Sequence, residues 1–182
     1  MISKSIILIV IAVIVVGGAG AAAYVMLNDR GLGSDDSGQD AVLVEGDSYS
    51  YWMEDTMNER TTYVYTIMDV LGDSTYEVRT LVNGSASDSE MTYDEYVKVL
   101  FDELYYPDDT WTRGGTEALD KNTNFDGVDC VVWTKETSDH SYTSWIGVDD
   151  GVLYYNEDVI TIDGESATST YRLVTCTFID KL

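Results

Sequence analysis

The residues best suited to chemistry are the two cysteines, Cys130 and Cys176, which lie in separate apolar segments. Cys130 has a valine two residues away on each side, and Cys176 has Val174 and Phe178 at the same spacing. Because side chains alternate between the two faces of a β-strand, this spacing places each thiol on an apolar strand face. On the oxidising side of a membrane we expect a disulfide, which needs Cα atoms within about 7 Å and therefore neighbouring or stacked strands. The alternative is two buried thiols that behave as small hydrophobic residues.

Outside the cysteines, no residue pattern matches a catalytic or metal-binding motif. His140 is the only histidine and lies in a polar stretch, and the chain has no nucleophile-elbow motif. Residues 122–127 begin like a calcium-binding loop, but Trp133 stands where the bidentate glutamate is required, and a polar turn explains the same residues. We therefore predict a protein that is not an enzyme and has no cofactor and no metal site.

Two further features are candidates for modification or binding. Asn83 begins the only N-glycosylation sequon, Asn83-Gly84-Ser85, at a predicted turn outside the membrane, and is a glycosylation candidate. The four tryptophans and the tyrosine pairs at 105–106 and 154–155 could line a platform for a sugar or a hydrophobic ligand. Half-buried sheet positions are the more common setting for such aromatic residues.

The N-terminal region predicts a membrane anchor. Residues 6–27 are apolar or small and carry no charge, and a helix of about 20 such residues spans the hydrocarbon layer. Lys4 favours a cytoplasmic location for residues 1–5. The glycine- and aspartate-rich residues 28–40 then form a flexible acidic tether, and residues 41–182 form a β-rich domain outside the cytoplasm.

Small residues within this anchor bear on whether it self-associates and whether it is cleaved. Gly17 and Ala21, like Gly18 and Ala22, are four residues apart, a spacing that permits close helix–helix approach and self-association. Glycine and alanine are also common in membrane helices generally.

The alternative to an anchor is a cleaved signal peptide, for which residues 21–23 offer the cleavage site.

The charge of the chain limits its partners. It carries 33 Asp and Glu against 10 Lys and Arg, a net charge of −23. The basic residues are scattered, so no stripe exists that could neutralise phosphates, and we predict no binding to nucleic acid. The acidity is explained by a solvated surface, in a high-salt habitat or elsewhere, or by capture of cations or a basic partner.

Strand-like segments flank one helical segment after residue 40. Alternating or β-branched runs predict strands at 49–52, 61–71, 75–82, 128–134, 142–148, 152–155 and 170–179, with a short edge strand at 159–162. Thr92 and Glu95 form a capping box, and apolar residues at helical spacing predict a helix that ends before Pro107. The predicted fold class is α+β and mostly β: an antiparallel sheet of about seven or eight strands, which could form a half-barrel, covered by one helix.

A sequence pattern of strands and hairpins occupies the second half of the domain. It runs through Gly115-Thr116-Glu117, residues 126–133, Trp145-Ile146-Gly147 and residues 150–154. These residues resemble half-barrel domains similar to the bacterial lipoprotein carrier and related envelope lipoproteins. They are also similar to membrane-anchored extracellular proteins of unknown function from archaea. The resemblance implies a curved antiparallel sheet with helices on its concave side that bind or shield an acyl chain.

These observations favour a protein of the cell membrane that binds rather than catalyses. We expect a single-pass membrane protein whose outer domain binds an unidentified ligand, such as a lipid or another hydrophobic molecule, or an envelope protein. The alternative is a structural or interaction module of the cell envelope without a small-molecule ligand. An apolar concave pocket would favour the first, and a filled core the second.

Overall fold

The computed structural model describes residues 42–56, 59–72, 74–101 and 105–182, all within the unit Gly38–Leu182. The predicted membrane span at 6–27, its small residues Gly17, Gly18, Ala21 and Ala22, and the tether at 28–40 lie outside the described residues. Among the residues that are described, no helix is both long and apolar enough to cross a membrane.

The described residues form nine strands in one sheet, with one short α-helix. The strands are β1 (Ser48–Glu54), β2 (Arg60–Gly72), β3 (Thr75–Val82), β4 (Ser85–Thr92), β5 (Thr112–Ala118), β6 (Asp129–Glu136), β7 (His140–Gly147), β8 (Leu153–Ile162) and β9 (Glu165–Cys176). Helix α1 (Tyr93–Val97) continues as the 3₁₀ helix Lys98–Phe101, and a second 3₁₀ helix, Ile179–Lys181, follows β9. All pairings are antiparallel, in the order β4-β3-β2-β1-β9-β8-β7-β6-β5, and β4 and β5 are the free edges. This confirms the predicted mostly-β antiparallel architecture.

The two edge strands are the ones that sequence patterns do not predict. Neither SASDSEMT in β4 nor TRGGTEA in β5 contains a run of β-branched or aromatic residues. β4 forms because Asn83 and Gly84 adopt φ values of 49° and 84°, as a two-residue hairpin turn requires. This turn fixes the register of β3 against β4 along their whole length, from Val82–Ser85 to Thr75–Thr92.

Three predicted elements have different limits in the structure. The edge strand expected at 159–162 is wrong, because these residues continue β8, an interior strand between β7 and β9. The last strand begins at Glu165 and ends at Cys176, earlier than predicted. The capping box of Thr92 and Glu95 is present, but α1 is α-helical only to Val97 and then tightens into a 3₁₀ helix.

Tyrosine rings fill the face of the sheet beneath α1. Side chains from β1 and β2 interleave as a near-parallel column in the order Tyr63, Tyr51, Tyr65 and Tyr49. Successive ring centroids lie 4.7, 6.2 and 4.9 Å apart, with interplanar angles of 9° to 13°. The column forms because these residues alternate along two directly paired strands, so all four point to one face.

Two buried hydroxyl groups attach α1 to this column. Tyr49 Oη donates to the Tyr96 carbonyl at 2.7 Å, and Tyr96 Oη donates to the Asp47 carbonyl at 2.8 Å. Both tyrosine side chains are fully buried, so an unpaired hydroxyl or carbonyl here would carry a desolvation cost. The short helix is therefore held on the sheet by hydrogen bonds as well as by apolar packing.

A row of aromatic and cationic side chains crosses the opposite face. Directly opposed positions on β7, β8, β9 and β1 hold Trp145, Tyr155, Arg172 and Trp52. The ammonium of Lys121 lies 3.9 Å from the Trp145 ring centroid, and the Arg60 guanidinium lies 3.7 Å from that of Trp52. Cation–π contacts of this kind stabilise by about 0.5 to 2 kcal/mol. They also cover the ring faces, so this row is not an open aromatic platform.

Candidate functional site

An open groove of about 520 Å³ lies at one end of the sheet. The start of β6, the turn between β7 and β8, and the end of β9 all meet at this end of the sheet. Three segments line the groove, with Phe125, Val128 and Asp129 from the first, Asp149, Asp150 and Tyr154 from the second, and Ile179, Asp180 and Leu182 from the third. Five of these residues are apolar or aromatic and four are aspartates.

The turn between β7 and β8 sets the position of one of these carboxylates. Asp150 Oδ1 accepts a hydrogen bond from the backbone N–H of Val152 at 2.9 Å, and its Oδ2 accepts one from Tyr154 Oη at 2.5 Å. Gly151 adopts a φ of 68°, which favours glycine. Asp150 and Gly151 thus form the turn between β7 and β8, which places Asp150 in the lining of the groove.

A polar loop before β6 supplies the apolar wall. Asp126 Oδ1 accepts hydrogen bonds from the backbone N–H groups of Lys121 and Thr123 at 3.1 and 3.0 Å, which closes the loop. The Thr123 N–H is the main cause that lowers the pKa of Asp126. The loop then places the Phe125 ring 5.0 Å from the ring of Tyr154. Residues resembling the start of a calcium loop thus build a turn.

The third wall is fixed by an ion pair with the start of the domain. Lys181 Nζ lies 2.7 Å from Asp47 Oδ2, which is largely buried. Burial alone would raise the pKa of Asp47, but the hydrogen bonds from Lys181 and from the Val44 N–H leave that pKa below its usual value. The ion pair keeps the 3₁₀ helix Ile179–Lys181 against the domain.

The carboxylates of the groove have no counter-charge in the described part of the chain. None of the ion pairs there involves Asp129, Asp149, Asp150 or Asp180. Nor do three or more His, Cys, Asp or Glu side chains within the described ranges converge to hold a metal ion. A cation about 4 Å from one carboxylate gains about 1 kcal/mol in water and about 4 kcal/mol near a protein surface. The aspartates of the groove therefore favour cationic groups, and its apolar and aromatic lining residues favour apolar ones.

The predicted disulfide between Cys130 and Cys176 is not formed. Both residues are free thiols, Cys130 fully buried and Cys176 partly buried. Their strands, β6 and β9, are separated in the sheet by β7 and β8, so they are not the neighbouring strands that a disulfide was expected to join. The alternative interpretation, two thiols that pack as small hydrophobic residues, describes this arrangement.

Both thiols are expected to resist alkylation in the folded protein. Burial, with a contribution from Asp150, raises the pKa of Cys130 to about 12, and burial raises that of Cys176 to about 11. Because the thiolate is the nucleophile, iodoacetamide at about pH 8 should modify neither residue in the native protein. Both should be modified after unfolding without reductant, as counted by intact mass. Unfolded protein that takes up no label would instead demonstrate a disulfide.

His140 and Asn83 do not line the groove, whereas Tyr154, from one of the tyrosine pairs, does. His140 Nδ1 lies 3.0 Å from Asp158 Oδ1 in a largely buried pair, and the imidazole stacks on Tyr142. Burial raises the pKa of Asp158, while His140 opposes this rise. Asn83 is exposed at the β3–β4 turn, as predicted, where its Oδ1 accepts a hydrogen bond from the Thr62 N–H at 2.9 Å.

Sequence reasoning did not identify the groove itself. Asp129 and Asp150 fall within the strand-and-hairpin segments at 126–133 and 150–154, and Asp149 and Asp180 count only toward the general acidity. Their shared position follows from the order of strands in the sheet, which no local pattern encodes. The local signal is that Asp149, Asp150 and Asp180 come after predicted apolar strands, whereas Asp129 lies at the start of one.

Comparison with known proteins does not place the chain in a family. No protein-family model and no curated protein matches it. Among solved structures, a DUF1329 family protein from Desulfovibrio piger is similar over 72% of this chain and 85% of its own chain. The two sequences are 12% identical, and the TM-score is 0.21. A TM-score this low does not establish a common fold.

Proposed function

We propose that the protein is a membrane-anchored, extracytoplasmic binding domain whose groove takes a ligand with a cationic group on an apolar body. The observation that carries this proposal is a groove lined by four aspartates and five apolar or aromatic residues, with none of the aspartates in an ion pair with another described residue. Pockets that combine apolar walls with a few charged groups are typical binding sites. The anchor is the apolar run at residues 6–27.

The charge of the groove limits which kinds of hydrophobic ligand are expected to bind. An acyl chain with a free carboxylate would be repelled by Asp129, Asp149 and Asp180. A neutral or cationic hydrophobic molecule would not be repelled. The resemblance to lipoprotein-carrier-like domains is compatible with a hydrophobic ligand of this kind, and the aspartates in the lining favour its cationic form.

A second candidate function is a structural or interaction module of the cell envelope. The face of the sheet beneath α1 supports it, because the tyrosine column and α1 fill this face with buried side chains. A module of this type would bind no small molecule in the groove. A direct measurement of small-molecule binding to the groove therefore distinguishes the two candidate functions.

A matched ligand series tests the proposal. Full-length protein in nanodiscs of zwitterionic lipid should bind hexylamine more tightly than hexanol, and hexanoate least, by isothermal titration calorimetry with empty nanodiscs as the blank. The double substitution D149N/D180N should weaken hexylamine binding by about 5- to 30-fold, since each carboxylate contributes about 0.5 to 1 kcal/mol. The effect should shrink at high salt, which screens exposed charges.

The control variant is Asp163→Asn, in the β8–β9 turn, where φ is 54° and asparagine is well tolerated. It removes one carboxylate without touching the groove and should leave binding unchanged. Equal affinity for the three ligands, or an equal effect of D163N and D149N/D180N, would contradict the proposed site and favour the structural module.

A further inference from the structure

β4 is an edge strand, and it carries the longest regular row of backbone groups without a neighbouring strand in the described sheet. β4 has one neighbour there, β3, and pairs with it over its whole length without a bulge. Residues 85–90 are exposed on both faces of the strand. An edge of this kind presents unpaired N–H and C=O groups that can template another strand.

The turn geometry identifies which backbone groups point outward. In a two-residue hairpin the flanking residues, here Val82 and Ser85, form a hydrogen-bonded pair. Hydrogen-bonded and non-hydrogen-bonded pairs then alternate along an antiparallel ladder. Ser85, Ser87 and Ser89 therefore bond to β3, and the outward N–H and C=O groups belong to Ala86, Asp88 and Glu90.

The other free edge of the described sheet, β5, has an irregular backbone that disfavours pairing. Of the two edges, β4 is therefore the one suited to a partner strand. β5 shifts register against β6 between Arg113 and Thr116, at Gly114 and Gly115. Bulges and irregularities of this kind discourage edge-to-edge pairing. β4 has neither a bulge nor a proline nor a lysine, and the charged side chains that protect its edge are the acidic Asp88 and Glu90.

Charges beside β4 indicate what would pair with it. Asp88 is held by Arg79 through two contacts of 2.8 and 2.9 Å. Glu90 stands directly opposite Glu77, and like charges in opposed positions destabilise a strand pair. A positive side chain on the open side of Glu90 would relieve this repulsion.

We propose that β4 is a docking edge for an extended segment of a partner protein that carries Lys or Arg at alternate positions, opposite Asp88 and Glu90. The added strand would bond to the backbone of Ala86, Asp88 and Glu90. Its basic side chains would neutralise Glu90, which faces Glu77, and would add to the contact that Arg79 already makes with Asp88. A second copy of this chain fits poorly, because its β4 carries no Lys or Arg to place opposite Glu90, and each chain carries a net charge of −23. This surface is independent of the groove.

Backbone-modified peptides test the register as well as the charge. Full-length protein in nanodiscs should bind a heptapeptide of alternating Lys and Thr and should bind its Glu analogue at least tenfold more weakly. N-methylation of the Lys amides, which would face β4, should abolish binding of the Lys peptide. N-methylation of the Thr amides, which would face solvent, should leave binding within about twofold, because only alternate amides bond to a neighbouring strand.

A pair of edge variants provides the protein-side test. Ala86→Pro removes an outward N–H without removing a β3–β4 hydrogen bond, and Ala86→Thr retains it. A86P should lose at least tenfold in affinity for the Lys peptide, and A86T should not. Should both N-methylated peptides bind alike, or should A86P bind as well as A86T while folded, the contact would be electrostatic only and the docking edge would be refuted. If A86P does not fold, the N-methylated peptides decide the question alone.

Discussion

Replacing Tyr49 with alanine is expected to lower the free energy of unfolding by about 3 to 5 kcal/mol, the usual cost of removing a buried aromatic ring. The Tyr49 ring is fully buried and stacks on Tyr65 at 4.9 Å, and its edge contacts are with Tyr96 and Phe178. Its hydroxyl also donates to the Tyr96 carbonyl. The substitution therefore opens a cavity at the point where β1, β2, α1 and the C-terminal segment meet.

Phenylalanine at the same position distinguishes the contribution of the ring to stability from that of the hydroxyl group. Tyr49→Phe keeps the stacking and leaves only the Tyr96 carbonyl without its donor, which costs about 1 to 3 kcal/mol. Urea unfolding followed by tryptophan fluorescence gives both free energies from the midpoint and slope. An alanine variant no less stable than the phenylalanine variant would show that the ring stack does not support the fold.

Substituting Gly147 with alanine is expected to destabilise the protein by about 1 to 3 kcal/mol and to deform the groove. A Cβ atom at this position would overlap Asp150 Oδ1 and would lie 2.8 Å from Tyr154 Cε2. Asp150 would have to give up its hydrogen bonds with Val152 and Tyr154, so the loss should appear both in unfolding free energy and in hexylamine affinity.

Gly115→Ala is the matched control, because a Cβ atom there has no other atom within 4 Å. It makes the same chemical change in a strand of the same sheet and should alter stability by less than about 0.5 kcal/mol. The double substitution G147A/D150A should be less destabilised than the two single effects combined, since removing the carboxylate removes the overlap with Asp150 and leaves only the close contact with Tyr154. Equal stabilities of G147A and G115A would contradict the tight packing of the β7–β8 turn.

Local patterns predicted the sheet, but they did not predict its edges. Tyr49 and Tyr51, or Cys130 and Val132, share a strand face because side chains alternate, and this rule depends only on neighbours in the chain. β4 lacks that signal, since its serines are poor strand formers. It becomes a strand because the Asn83-Gly84 turn returns the chain alongside β3, and the ladder supplies hydrogen bonds that sequence propensity does not.

The cysteines and the groove show where tertiary structure decided the outcome. The residues around Cys130 and Cys176 were sufficient to predict that both thiols face apolar surroundings, but pairing depends on strand order, and β7 and β8 stand between them. In the same way, the acidity of the chain follows from its composition, but a groove lined by Asp129, Asp149, Asp150 and Asp180 requires three distant segments to fold to one end of the sheet. Burial and strand formation follow from spacing along the chain, but a site depends on distances between segments, which are set only when the sheet is assembled.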